Sequence, residues 1–232
     1  MDRLRGVREL LDGPLDDPAA LATNLRDLAR INRLTGGTRL SERAIAALAA
    51  QVGVATILDV GTGGADIPMT LLARAASAGR ALAITATDSR PEVLAAARVA
   101  RPLISHTPGL ELAIADGRGL PYPDGAFDVA HASLVLHHLD PGEAVAFLRE
   151  LRRVARRGIV VNDLIRGRLF WIGGWLLVRA IGSGGYARHD GPLSVRRAYS
   201  REELADLFTA AGLATVATFA GFAGHRVAIA AC

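Results

Sequence analysis

Lysine is absent from this chain: all 27 basic residues are arginine. A GC-rich genome would produce the same bias. Arginine keeps its proton near neutral pH, so the sequence pI is high, about 10.1. Without lysine there is no Walker lysine, and P-loop phosphate binding is unsupported. Cysteine is nearly absent too. Cys232 stands alone at the end, which excludes an internal disulfide and a zinc site built from cysteines. It also favours a reducing compartment, so the expected location is cytoplasmic. Aromatic residues make up only 5% of the chain. The arginines gather in small knots, at Arg152–Arg153, Arg156–Arg157 and Arg196–Arg197, and are otherwise scattered among acids. A nucleic-acid surface needs a denser basic stripe interleaved with aromatics, so no nucleic-acid partner is expected.

Long apolar runs are missing as well. The opening MDRLRGVRELLDGP mixes charged and apolar positions and lacks the core of a signal peptide. The most apolar stretch, LFWIGGWLLVRAIG (169–182), is interrupted by Arg179 and carries glycines at 173, 174 and 182. A bilayer span needs ~20 apolar residues, so no integral span is expected. The stretch reads as a buried helix, as a lid over a greasy pocket, or as a weak peripheral membrane contact.

What is present fits one domain of ordinary size. The chain has 232 residues, half of them hydrophobic. Residues 1–50 read as a helical cap. Pro18 opens a helix with Leu21, Leu25, Leu28 and Ile31 on one face, and Gly36–Gly37 stops it. Ser41 is placed as the cap of a second helix running to about Gln51. From 51 to 232 strands and helices alternate. VATILDV (54–60), ALAITAT (81–87), LELAIA (110–115), AFDVAHAS (126–133) and GIVVND (158–163) read as strands. Helices follow about Asp66, at Pro91, over 142–156 and over 201–211. This rhythm predicts a parallel sheet covered on both faces. LATVATFAG and HRVAIAAC, joined by a short turn, permit only an antiparallel pair. Residues 164–199 break the rhythm and read as an irregular insertion.

The chemistry concentrates in Leu58-Asp59-Val60-Gly61-Thr62-Gly63-Gly64-Ala65-Asp66, between the first strand and its helix. In open α/β sheets ligands bind beyond the carboxyl ends of the strands. Gly61 and Gly63 allow a tight turn and a close approach to a ligand. Asp59 at the strand end would repel a pyrophosphate, and it suits a ligand carrying an ammonium and a sulfonium. Asp88 ends the second strand, where a carboxylate can accept from both ribose hydroxyls. Asp116-Gly117 ends the third, where a carboxylate can accept from an adenine amino group. Each acid singly also reads as a strand-ending turn residue. Three at consecutive strand ends argue for a nucleoside site.

With these segments, ILDVGTGGADIP, ITATDSRPEVLAAAR and IADGRGLPYPDGAFDVAHASLVLHHL, the sequence resembles class I S-adenosylmethionine-dependent methyltransferases. It is most similar to the small-molecule, quinone-biosynthesis-like group. The resemblance covers about residues 52–163, and the tail more loosely. It implies a Rossmann-like α/β fold: a seven-stranded, mostly parallel sheet with the last strand antiparallel and helices on both faces. It also implies S-adenosylmethionine as cofactor and S-adenosylhomocysteine as product. Asp59, Gly61 and Gly63 would contact the methionine part, Asp88 the ribose, and Asp116 and Gly117 the adenine. Thr62, Ser89 and Ser133 join the cofactor-binding set. Ala65 departs from the family, which more commonly has a third glycine there.

An acceptor hydroxyl is served by a histidine base near neutral pH. His131 ends the fourth strand, and His189 sits in Tyr186-Ala187-Arg188-His189-Asp190-Gly191. These two are the candidate bases, with an exposed turn as the alternative for His189. His137–His138 read as a structural pair capping the turn before Asp140–Pro141. Asn162, Asp163, Trp171, Trp175 and Tyr186 are the candidate acceptor contacts; for the tryptophans, plain core is the alternative. No metal site is expected. The function expected is methyl transfer to a small, largely apolar acceptor, aromatic, polyketide or quinone-like, most readily at oxygen, by a monomer or homodimer. The rivals are a cofactor-binding protein, a non-methyl reaction such as cyclisation on the same fold, and a nicotinamide-dependent oxidoreductase.

Overall fold

The computed structural model describes residues 1–15, 17–49, 53–181 and 185–232. Its centre is one seven-stranded sheet. The strands are β1 (Thr56–Val60), β2 (Ala83–Asp88), β3 (Leu110–Ile114), β4 (Phe127–Ser133), β5 (Ala155–Leu164), β6 (Thr215–Ala220) and β7 (Arg226–Ala231). Their order is β3-β2-β1-β4-β5-β7-β6. The first five are parallel, and β7 runs antiparallel to both β5 and β6. The chain leaves β1 toward one edge and returns at β4 toward the other. The carboxyl ends of β1 and β4 therefore flank the switch point, where such sheets bind ligands.

The helices are α1 (Pro18–Leu34), α2 (Gly37–Leu48), α3 (Asp66–Ser77), α4 (Pro91–Ala100), α5 (Pro141–Val154), α6 (Arg168–Ile181), α7 (Gly185–Arg197) and α8 (Arg201–Ala210). Their starts follow local chemistry. Asp17 caps α1 by accepting from the amides of Ala19 and Ala20, with Pro18 at the first position. Asp140 with Glu143, and Ser200 with Glu203, form reciprocal capping boxes on α5 and α8.

Each face of the sheet has its own apolar layer. On one, Phe147, Leu148 and Leu151 of α5 and Leu204 and Phe208 of α8 cover Leu58, Ala130, Ile159 and Ile229. On the other, Leu40, Ala44 and Ile45 of α2 join Ile67 and Leu71 of α3 over Ile57, Val129, Val160 and Ala228. Burial of such side chains stabilises by about 1.5–3 kcal/mol each. At the opposite edge from the switch point, the Asp128 carboxylate ties the parallel strands together. It accepts from the amides of Ala55 and Thr56 and from Arg156 and Arg157.

Three expectations change. The second helix starts at Gly37, not at Ser41; Gly36 takes the left-handed turn at φ 75°. Ser41 lies inside α2 and fully buried. The expected end near Gln51 falls outside the described residues. Nor is the N-terminal region only a cap, because α2 is one of the helices that cover the sheet. Finally, the described part of 164–199 is not irregular: it contains α6 and α7, with Pro192 inside α7.

Candidate functional site

The turn after β1 is shaped by left-handed residues. Gly61 has φ 71°, Gly63 φ 54° and Ala65 φ 52°. Any side chain at Gly61 would overlap Val135. Ala65, where a glycine would be easier, carries the left-handed conformation fully buried. The Thr62 amide donates to the Thr87 carbonyl at 2.8 Å, which fixes the turn against β2. The Asp88 carboxylate stands beside it. It accepts from the amides of Gly63 at 3.2 Å and Arg90 at 3.1 Å, one on each oxygen. Each oxygen keeps further acceptor capacity. Burial raises the Asp88 carboxyl above its ordinary range, against the pull of these two amides. The Thr62 hydroxyl is buried with no hydrogen-bond partner among the described residues. Past β3, a side chain at Gly117 would overlap Phe147 and crowd Val60 at 2.9 Å. Ser89 is exposed, and so is Asp116, which Arg118 holds at 2.7 Å.

Below this turn runs a buried polar chain. Asp59 and His131 meet at 2.5 Å, and the other nitrogen of His131 meets the Ser41 hydroxyl at 2.7 Å. The Asn162 amide donates to Ser41 and to the Gly37 carbonyl, while its oxygen accepts from Arg226 at 2.6 Å. Arg226 also donates to Asn32 of α1 and to Ser133 at 2.7 Å. Asn32 in turn donates to Asp66. Burial lowers Arg226 to about 10, although Asp163 and Asp66 pull the other way.

This chain corrects two sequence assignments. His131 is not a base facing an acceptor: it is 1% exposed, with both ring nitrogens engaged. Asn162 is fully buried with its amide and oxygen both used, so it lines no acceptor cavity. Ser133 and Asp59 likewise have their side chains committed, to Arg226 and to His131.

A second polar cluster lies beyond β4. Asp163 is also buried. It accepts from the His137 amide at 3.1 Å and meets His137 Nδ1 at 2.7 Å, so it too is no acceptor contact. The rings of His137 and His138 are structural, as expected, but they do not cap the turn before Asp140–Pro141. Instead they face Glu9, while His138 Nδ1 meets Asp12 at 3.0 Å. Burial pushes the Glu9 carboxyl up to about 7, against His138, Arg197 and Ser194. Asp12 is also penalised by burial, but His138 and Arg197 outweigh it and hold its carboxyl below the usual range.

Residues 9–13 form a strap across the strand ends. At one side Arg90 donates to the carbonyls of Leu11 and Gly13. At the other Asp12 meets His138. From above, the Asp190 carboxylate of α7 accepts from the amides of Leu10 and Leu11 at 2.9 and 3.1 Å. Sequence reasoning missed Glu9 and Asp12, because nothing near them in the chain marks them. Only the fold brings them to His137 and His138.

His189 is half-exposed on α7, with Nδ1 on Asp190 at 2.8 Å. Tyr186, one turn earlier, is partly buried against the apolar cluster that includes Leu15, Leu21 and Leu25. Trp171 and Trp175 neither wall a closed pocket nor join the core: they are 37% and 38% exposed on α6, and Arg179 stacks on Trp175. A separate groove of about 940 Å³ opens between α1, α2 and α3, lined by Arg26, Arg30, Arg33, Arg39, Arg74 and Arg101. It includes none of the residues expected to bind cofactor or acceptor.

Comparison with known proteins agrees with this geometry. A methyltransferase-domain family matches residues 57–158. An uncharacterised methyltransferase of Synechocystis is 27% identical over 119 residues, and the chain spans 50% of that relative's length. A methyltransferase of Aquifex aeolicus, described as S-adenosylmethionine-dependent, superposes with TM-score 0.63 at 21% identity, covering 93% of this chain and 97% of that one. An O-methyltransferase family 2 protein of Planctomyces limnophilus, solved with apigenin, gives 0.64 at 20% identity, covering 94% and 62%. The cyclase SpnF gives 0.58 at 21%, covering 81% and 61%. These structures share the fold. The sheet order, the turn after β1 and the methyltransferase-domain match over residues 57–158 together show that the chain has the Rossmann-like fold of the class I S-adenosylmethionine-dependent methyltransferases.

Proposed function

We propose that this protein transfers the methyl group of S-adenosylmethionine to an oxygen of a small, largely apolar acceptor. The observation that carries the reading is Asp88. Its carboxylate sits at the carboxyl end of β2, oriented by two amides, and both oxygens retain lone pairs for a ribose. The surrounding residues fit a nucleoside. The Thr62 hydroxyl is a buried donor with no partner among the described residues, and Gly61 and Gly63 supply the left-handed backbone that the tight turn requires. Asp116 and Gly117 would border the adenine.

When bound, the cofactor supplies a methyl group already attached to a good leaving group. The protein's share is to position the acceptor and take its proton. His189 is the candidate for the proton. Asp190 holds its Nδ1, which leaves Nε2 as the accepting atom. Tyr186 on the same helix, and Trp171 and Trp175 on α6, would contact an apolar acceptor. The likeness to an O-methyltransferase family 2 protein solved with apigenin supports oxygen and an aromatic acceptor. The likeness to a cyclase supports a second reading, in which the same cofactor fold catalyses a ring closure.

Incubation with S-adenosylmethionine and a panel of phenolic, polyketide and quinone-like acceptors separates these readings. A product heavier by one methyl group supports transfer. An isomer of unchanged mass supports cyclisation. Calorimetry showing no binding of S-adenosylmethionine or S-adenosylhomocysteine would overturn both.

A further inference from the structure

Glu9, His137 and His138 place one carboxylate and two imidazoles in a single cluster, the first two buried and His138 partly so, with one potential ligand atom from each lying within 4.8 Å of the others. His137 Nε2 lies 3.7 Å from one oxygen of Glu9, and His138 Nε2 lies 3.8 Å from the other. These separations are too long for hydrogen bonds. They are close to what a shared ion requires: bonds of about 2.0–2.1 Å put tetrahedral ligands roughly 3.3 Å apart.

The remaining ring nitrogens settle which way the lone pairs point. Asp163 takes Nδ1 of His137 at 2.7 Å, and Asp12 takes Nδ1 of His138 at 3.0 Å. A carboxylate on Nδ1–H leaves the Nε2 lone pair directed inward. This carboxylate–histidine arrangement is the usual outer shell of a metal site. The local charge points the same way. Glu9, Asp12, Asp163 and Asp190 bring four carboxylates, while Arg197, Arg3 and Arg226 bring three guanidiniums. Arg197 approaches Glu9 at 3.5 Å but is committed to Asp12 at 2.7 Å. Ser194 donates to the Glu9 oxygen that faces His137 and leaves the oxygen facing His138 available.

We propose that Glu9, His137 and His138 bind a divalent ion of the zinc class. Nitrogen and oxygen donors of this mixture suit zinc rather than magnesium or calcium, which prefer all-oxygen shells. The ion pins the strap of residues 9–13 to the segment after β4, and so holds the strap over the strand ends. This site is independent of which acceptor is methylated.

The test uses the full chain, stripped with chelator and titrated with zinc chloride against a chromogenic chelator. One zinc per chain is expected, with sub-micromolar affinity and added hydrogen-exchange protection over residues 8–13. His138→Ala, on a side chain only partly buried, should weaken zinc by at least about 10-fold. Asp12→Asn should weaken it by about 10–100-fold, through loss of ring orientation. His106→Ala, on an exposed residue elsewhere, should leave it unchanged. Circular dichroism checks the fold of each variant, and if Glu9→Gln does not fold, His138→Ala decides alone. Absence of stoichiometric zinc at micromolar concentration would overturn the proposal. So would unchanged affinity in His138→Ala, or an equal loss in His106→Ala.

Discussion

Asp88 and His131 show how residues of similar promise in the sequence take different parts in the fold. Asp88 stands half-buried at the rim with spare acceptor capacity. Asp88→Ala should weaken S-adenosylhomocysteine by about 1.5–3 kcal/mol, the loss of hydrogen bonds to a charged group, read by calorimetry. His131 is sealed beneath the turn against the Asp59 carboxylate. His131→Ala strands that carboxylate in the interior, so it should destabilise the protein by about 3–5 kcal/mol in urea unfolding. Turnover lost at full stability would instead return His131 to the list of bases. His189 differs again, because it is half-exposed and dispensable for packing. His189→Ala should lower kcat while leaving cofactor affinity and melting temperature in place; unchanged kcat removes it as the base.

At the scale of elements, the carboxyl ends of β1, β4 and β5 are joined to α1 and α2 by polar contacts rather than by apolar packing alone. Arg226, the first residue of β7, reaches Asn162 of β5, Ser133 of β4 and Asn32 of α1. Arg226→Met keeps much of the side-chain volume but leaves three acceptors unpaired. Unsatisfied buried groups cost about 1–3 kcal/mol each, and relief of the guanidinium's own desolvation offsets part of that, so a net loss of roughly 2–4 kcal/mol is expected. At about 2–4 °C per kcal/mol for a chain of this size, differential scanning calorimetry should show a drop of roughly 4–16 °C. α6 stands apart from this pattern. Leu169, Ile172 and Leu176 are exposed, and of its residues only Val178 is buried. The buried-helix reading of residues 169–182 therefore fails for the described part of the stretch, and no helix is long and apolar enough to cross a membrane among the described residues.

For the whole molecule, acid sensitivity has an identifiable source far from the candidate site. Burial works against ionisation of Asp128, but the amides of Ala55 and Thr56 and the Arg156 guanidinium win and hold its carboxyl at about 2. A depressed carboxyl stabilises the fold above its unfolded value, near 4, and that contribution fades as the pH falls toward 2. Asp128→Asn should therefore lower stability at pH 7 by on the order of 2 kcal/mol and flatten its dependence between about pH 4 and 2. An equally steep acid limb in the variant would place the sensitivity elsewhere.

The alternation of apolar strands and helices, the glycine turn after β1 and the antiparallel tail were legible in the sequence, because each is written in neighbouring residues by period, by turn chemistry and by backbone freedom. The seven strands fall within a few residues of where the pattern predicts them. Side-chain partnership was not legible. Ser41 looked like a helix cap, Asn162 and Asp163 looked like acceptor contacts, and Glu9 and Asp12 carried no signal. Each is defined by a partner elsewhere in the chain, as far off for Asp12 as Arg197, 185 residues away. Local pattern sets which elements form. Only their packing decides which polar groups lose water together, and so which must pair.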